Sequence, residues 1–92
     1  MSFFSNKVVV ITGGSDGIGK ALVDLFLLNG AKVATCGRNN DKLYQLQTSY
    51  PDKSLVTYMA DVSNETDCRN FINETIKVFG TIDILINNAG IS

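Results

Sequence analysis

The sequence predicts an α/β fold on a four-stranded parallel sheet, and three observations predict it. Val8-Val9-Val10-Ile11 is an unbroken β-branched run, the pattern of a strand buried on both faces. Glycines follow it at once, and apolar residues at helical spacing follow the glycines. The same alternation of strand and helix periods continues through the 92 residues, giving βαβαβαβ with short connections. Such an order builds parallel strands with right-handed crossovers. The expected sheet order is 3-2-1-4, just over half of a doubly wound domain.

The elements follow in turn. Ile18, Ala21, Leu22, Leu25 and Phe26 form the apolar stripe of the first helix, and Gly30 suits the left-handed position that closes it. Ala31–Cys36 reads as the second strand, stopped at Gly37. Asn40 or Asp41 can cap a second helix carrying Leu43 and Leu46, which must end before Pro51. Leu55 to Ala60 reads as a third strand reaching Asp61. Ser63 is a candidate N-cap for a third helix, with Glu65 and Asp67 near its positive end. Its stripe is Cys68, Phe71, Ile72, Thr75, Val78 and Phe79, and Gly80 ends it. Ile82–Ile86 is the fourth strand and runs into Asn87-Asn88-Ala89-Gly90.

Composition excludes several functions. Eight basic and nine acidic residues leave a net charge of −1. Neither nucleic acid nor an anionic membrane has a basic patch to hold. There is no histidine, which removes His metal sites, Ser-His-Asp chemistry and a His general base. Cys36 and Cys68 lack the spacing of a metal motif or a disulfide framework and read as small buried thiols of a reducing compartment. No metal-ligand set is expected. The aliphatic runs fall far short of the ~18 residues of a membrane span, and the first residues lack the order of a signal peptide. A cytoplasmic chain is expected.

Thr12-Gly13-Gly14-Ser15-Asp16-Gly17-Ile18-Gly19 joins the first strand to the first helix. Four glycines within residues 13–19 carry a heavy backbone-entropy cost, which a tight turn or a close ligand explains. Backbone N–H groups and a helix N-terminus there suit a phosphate. Gly14 to Lys20 also reads G-x-x-x-x-G-K, but Ala21 stands where a P-loop NTPase needs a hydroxyl for Mg²⁺. A degenerate NTPase is therefore the outside alternative.

The spacing T-G-x-x-x-G-I-G, with Asn87-Asn88-Ala89-Gly90 ending the fourth strand and Asp61-Val62 ending the third, resembles the short-chain dehydrogenase/reductase family. The resemblance spans the chain and rests on motifs at three strand ends. It implies the N-terminal NAD(P)-binding portion of a Rossmann fold, residues 1–92 being part of a longer single-domain enzyme. It implies that Thr12 braces the loop and Gly13 makes the tight turn. Ser15, Gly17 and Ile18 would lie along the cofactor phosphates, and Gly19 would let helix pack on strand. Asp61, with Val62, would bind adenine through its amino group, and Asn88, Ala89 and Gly90 would lie under the ribose.

Gly37-Arg38 ends the second strand without the acidic side chain that would accept from the 2′-hydroxyl of NAD. Gly37 leaves space, and the Arg38 guanidinium suits a 2′-phosphate, a contact worth roughly 1.5–3 kcal/mol. NADP(H) is expected over NAD(H), although NAD(H) stays possible. Asp16 stands in the loop where NADP-preferring family members often carry a basic residue, which weakens the preference without reversing it.

The family transfers hydride between nicotinamide and a carbonyl or alcohol carbon, with a Tyr-x-x-x-Lys pair as acid and base. Tyr44, Tyr50 and Tyr58 are followed four places on by Thr48, Ser54 and Val62, so none forms that pair. No catalytic residue is assigned, and these 92 residues alone are expected to be inactive. The resemblance further implies a small carbonyl or alcohol substrate and a homo-oligomeric parent. The apolar fourth strand would be an open edge unless further strands cover it, which again suggests a fragment. A non-catalytic nucleotide-binding or interaction module is the alternative of another class.

Overall fold

The structure is a computed structural model and describes residues 3–88. Four parallel strands, β1 (Val8–Thr12), β2 (Lys32–Gly37), β3 (Leu55–Met59) and β4 (Ile84–Ile86), pair in the order β3-β2-β1-β4. Three helices connect them: α1 (Gly17–Leu28), α2 (Asn40–Ser49) and α3 (Glu65–Phe79). The expected order 3-2-1-4 is the one found. Val9 sits between Val33 of β2 and Ile84 of β4, which fixes the register across the centre of the sheet.

Alternation along each strand sends residues to two different cores. Val9, Ile11, Val33 and Leu55 pack with Val23, Phe26 and Leu27 of α1 and Leu46 of α2. Val10, Ala34 and Cys36 face the other way, onto Phe71 of α3 and Ala60. Helices therefore cover both faces, and the β-branched run of β1 is 0–2% exposed because both its sides are buried. At the start of β1, Asp83 Oδ2 accepts from the Val8 N–H at 2.8 Å, while the Asp83 N–H donates to the Val8 carbonyl at 2.9 Å. That reciprocal pair sets the level of β4 against β1.

Several local expectations change. The buried face of α1 is Gly19, Val23, Phe26 and Leu27, whereas Ile18, Ala21 and Leu25 are exposed and Leu22 is half-buried. The helix is apolar on most sides, so the sequence does not fix its rotation. The close seat of Gly19 against the glycine loop does, and the buried positions follow from it at i, i+4, i+7 and i+8. Asn39, rather than Asn40 or Asp41, caps α2 by accepting from the Lys42 N–H at 3.1 Å. Asn64, rather than Ser63, caps α3 by accepting from the Asp67 N–H at 3.0 Å. Ser63 is engaged by Asp61 instead.

In α3, Phe71 and Thr75 are buried and Cys68, Ile72 and Phe79 half-buried, but Val78 points to solvent. Strand β1 includes Thr12, β2 begins at Lys32 and includes Gly37, and β3 ends at Met59. The fourth strand is shorter than Ile82–Ile86, because Ile82 leaves the ladder to pack against the α3-side core. Cys36 is buried and Cys68 only half-buried, and both are free thiols. Gly30 and Gly80 close their helices at φ 82° and 85°, as the sequence indicates.

Candidate functional site

The strand order reverses between β1 and β4: from β1 the chain runs through α1 to β2 on one side, while β4 pairs with β1 on the other, and a crevice opens at the carboxyl ends of the strands at such a point. An open cleft of about 750 Å³ lies there. It is bordered by the glycine loop, the ends of β2 and β3, and Asn88 after β4.

The glycine loop is held by bonds that reach across the sheet. Gly13 adopts φ 68°, a left-handed conformation that lets the chain turn sharply off β1. The N–H of Gly14 donates to Thr35 Oγ1 at 2.9 Å, and the Thr35 hydroxyl in turn donates to the Ile11 carbonyl. Gly14 fits only because it has no side chain, since a Cβ would fall 2.2 Å from Thr35 Oγ1. Asn88 is 7% exposed, and its Nδ2 donates to the Gly13 carbonyl at 3.1 Å. Gly19 brings the first turn of α1 against the same carbonyl, and a Cβ there would lie 2.1 Å from the Gly13 oxygen.

Thr12 ends β1 immediately before the loop. Its Oγ1 donates to Asn87 Oδ1 at 3.0 Å and accepts the Asn88 N–H at 2.9 Å, tying the end of β1 to the segment after β4. Thr35 and Asn88 bond the loop directly, at Gly14 and Gly13. A polar residue inside an otherwise apolar strand was the signal for Thr35, but nothing local indicates that its hydroxyl reaches Gly14, 21 residues away.

The start of α1 is chemically open. Asp16 occupies the N-cap position in extended conformation, yet its side chain makes no cap hydrogen bond. The first-turn N–H groups of Gly17 and Ile18 thus border the cleft without a side-chain acceptor from the cap. A helix N-terminus in that condition favours an anion.

Across the cleft stand Gly37, Arg38, Asp61 and Val62. Asp61 Oδ1 accepts from the Ser63 hydroxyl at 2.7 Å and from the Ser63 N–H at 2.9 Å. These bonds, aided by the charge of Arg38, hold its carboxyl below the usual carboxylate range. It is an ionised acceptor at neutral pH. The Asp61 N–H donates to Asp67 Oδ2 at 2.9 Å, which fixes the turn from β3 into α3. Beside it, burial pushes the Cys36 thiol up, so this cysteine is a neutral packing group.

The structure therefore brings Gly13, Ser15, Gly17, Ile18, Arg38, Asp61, Val62 and Asn88 to one cleft. Thr12 and Gly19 stand behind its wall as supports. Ala89 and Gly90 lie outside the described residues. The cleft also includes Gly37 beside Arg38, and Cys36, Asn39, Ala60 and Ser63, which the sequence did not single out for the site.

This arrangement, a glycine loop and open helix N-terminus at the switch point of a parallel sheet, defines a nucleotide-binding α/β class. The family model described as short chain dehydrogenase matches residues 7–92, and the chain belongs to that family. Over 90 residues it is 41% identical to "11-beta-hydroxysteroid dehydrogenase-like 2" of Arabidopsis thaliana, covering 95% of this chain and 29% of that protein. A crystal structure of a short chain dehydrogenase from Bacillus anthracis superposes with a TM-score of 0.84 at 41% identity, over 90% of this chain and 34% of that one. The 3-ketoacyl-(acyl-carrier-protein) reductase from Brucella melitensis complexed with NADH superposes with a TM-score of 0.84 at 29% identity, over 89% and 33%. The chain spans about a third of the length of the curated relatives it matches. Among the described residues, no helix is long and apolar enough to cross a membrane.

Proposed function

We propose that residues 1–92 are the cofactor-binding part of an NADP(H)-dependent oxidoreductase that moves hydride between nicotinamide and a carbonyl or alcohol carbon. The observation that carries this reading is the cleft itself. An uncapped helix N-terminus and a glycine loop form one wall, and the Arg38 cation and Asp61 carboxylate stand at the other. The relative from Brucella melitensis, complexed with NADH, supports a nicotinamide dinucleotide as the ligand. The dinucleotide, when bound, supplies or accepts the hydride.

The chain's own residues would then bind and orient it. The N–H groups of Gly17 and Ile18 would meet the pyrophosphate, with Gly13 and Ser15 alongside. Asp61 would accept from the adenine amino group, with Val62 against the ring, and Asn88-Ala89-Gly90 would lie under the ribose. Thr12 and Gly19 would keep the loop and the end of β4 in register. Arg38 would take the 2′-phosphate, and the absence of a side chain at Gly37 leaves room for it. The acid–base pair, the substrate pocket and a homo-oligomeric assembly belong to the longer parent in this reading, and a cytoplasmic setting fits it.

The full-length protein should bind NADPH about tenfold or more tighter than NADH, as measured by fluorescence titration. Gly37→Asp tests the assignment directly. A Cβ at Gly37 would sit 3.3 Å from Ser15 Oγ and 3.6 Å from a Leu43 methyl, so the side chain fits with a small shift. Its carboxylate should reverse the preference toward NADH. An unchanged preference in this variant would contradict the assignment of the 2′-phosphate to this corner.

A further inference from the structure

We infer that Lys42 is a positioning residue for dinucleotide binding: it holds the Asp16 carboxylate away from the phosphate-binding N-terminus of α1. Aspartate at an N-cap position ordinarily accepts from the first-turn N–H groups and is drawn there by the positive end of the helix. Asp16 occupies that position and does not do so. Both its oxygens accept instead from Lys42 Nζ, at 3.0 and 2.8 Å.

The two residues stand on different sides of the loop. Asp16 borders the large cleft and also a second hollow between α1 and α2, whereas Lys42 borders only the second. Lys42 therefore acts on the cleft through Asp16, from behind. It draws an internal anion out of the place where a ligand phosphate would compete with it, and it cancels that anion's charge. The side chains remain 46% and 67% exposed, so the pair contributes little to folding stability. Its consequence is the placement of charge. Lys42 itself is set by Asn39, whose side chain caps α2 on the Lys42 N–H.

The inference rests on the reading that the glycine loop takes the cofactor pyrophosphate, and it is independent of the choice between NADPH and NADH. The test uses the full-length protein with NADPH, NADH and adenosine as probes. The dinucleotides are followed by fluorescence and adenosine by NMR titration. Lys42→Ala should weaken both dinucleotides about tenfold and leave adenosine within twofold. Lys42→Arg should behave as the unaltered protein. Asp16→Asn placed on Lys42→Ala should restore dinucleotide binding to within twofold or threefold of the unaltered protein, because the competing carboxylate is gone.

Two results would overturn the inference. One is Lys42→Ala binding dinucleotides as tightly as the unaltered protein. The other is a double variant as weak as Lys42→Ala, which would mean that Lys42 touches the ligand itself. If the unaltered protein binds neither dinucleotide more tightly than adenosine, the underlying reading fails, a result separate from both.

Discussion

Strands β1 and β4 lie side by side and are made of the same kinds of residue, yet their surroundings differ. Val8 to Ile11 are 0–2% exposed, between α1 on one face and α3 on the other. In β4, Ile84 and Ile86 reach the α1-side core, but Leu85 points to the other face and is 60% exposed. The long helix α3 covers Val10, Ala34 and Cys36 and does not extend over Leu85. An apolar run therefore reports a strand's suitability for burial, and the actual burial depends on the layers beside it.

The largest effect should come from the support behind the cleft. Gly19→Val forces side-chain atoms into the Gly13 carbonyl, which neither the helix nor the loop can easily vacate. A loss of about 3 kcal/mol is expected in a urea titration, together with loss of dinucleotide binding. Thr35→Val should follow at about 2 kcal/mol, since it strands the buried Gly14 N–H. Its dinucleotide affinity should fall as well, whereas a purely local packing change would spare it.

The strand comparison gives the next pair. Val10→Ala should cost about 2 kcal/mol because both faces of β1 are packed. Leu85→Ala should change stability by less than about 0.5 kcal/mol in these 92 residues prepared alone. Equal effects from the two would break the comparison. Leu85→Lys sharpens it further, since the open edge and exposed leucine should promote self-association of the isolated chain. Sedimentation should show that association weakened by the added charge.

The smallest effects concern pH. Tyr50 donates to Asp24 Oδ1 at 2.6 Å, and this bond pushes its hydroxyl up to about 12. Because the folded value lies above the ordinary ~10, the stabilisation is fully present below about pH 10 and lost as pH rises through about 12. Tyr50→Phe should lower stability by about 1 kcal/mol at neutral pH and remove that alkaline dependence. Asp61 runs the opposite way. Its lowered value means its contribution persists at neutral pH and is lost only as pH falls below the ordinary carboxylate range. Ser63→Ala removes the hydroxyl bond, the largest cause of that lowering, and keeps the backbone one, so the acid loss of dinucleotide affinity should move to higher pH.

Much of the fold is legible in the sequence because β1 and the helix-closing glycines are decided locally. Gly30 and Gly80 need only their own backbone conformation to do their work. What is not legible is set by partners distant in sequence. The rotation of α1 follows from the fit of Gly19 against Gly13 and Asn88, which hydropathy spacing does not contain. The caps at Asn39 and Asn64 lie one residue from equally suitable Asn, Asp or Ser side chains, and only the loop path chooses among them. In the cleft, the glycine spacing and the pair Asp61-Val62 can be read directly. The supports Thr35 and Lys42 cannot, because each acts across elements, over 21 and 26 residues.

The central claim is that one dinucleotide spans the cleft from the glycine loop to Asp61. The direct test is to titrate NADPH into ¹⁵N-labelled full-length protein and map the amide shifts. The largest changes are expected at Gly13, Gly17 and Ile18, with accompanying changes at Arg38, Asp61 and Val62. Shifts absent from the glycine loop, or confined to the groove between β3 and α3 around Met59 and Asn70, would contradict it.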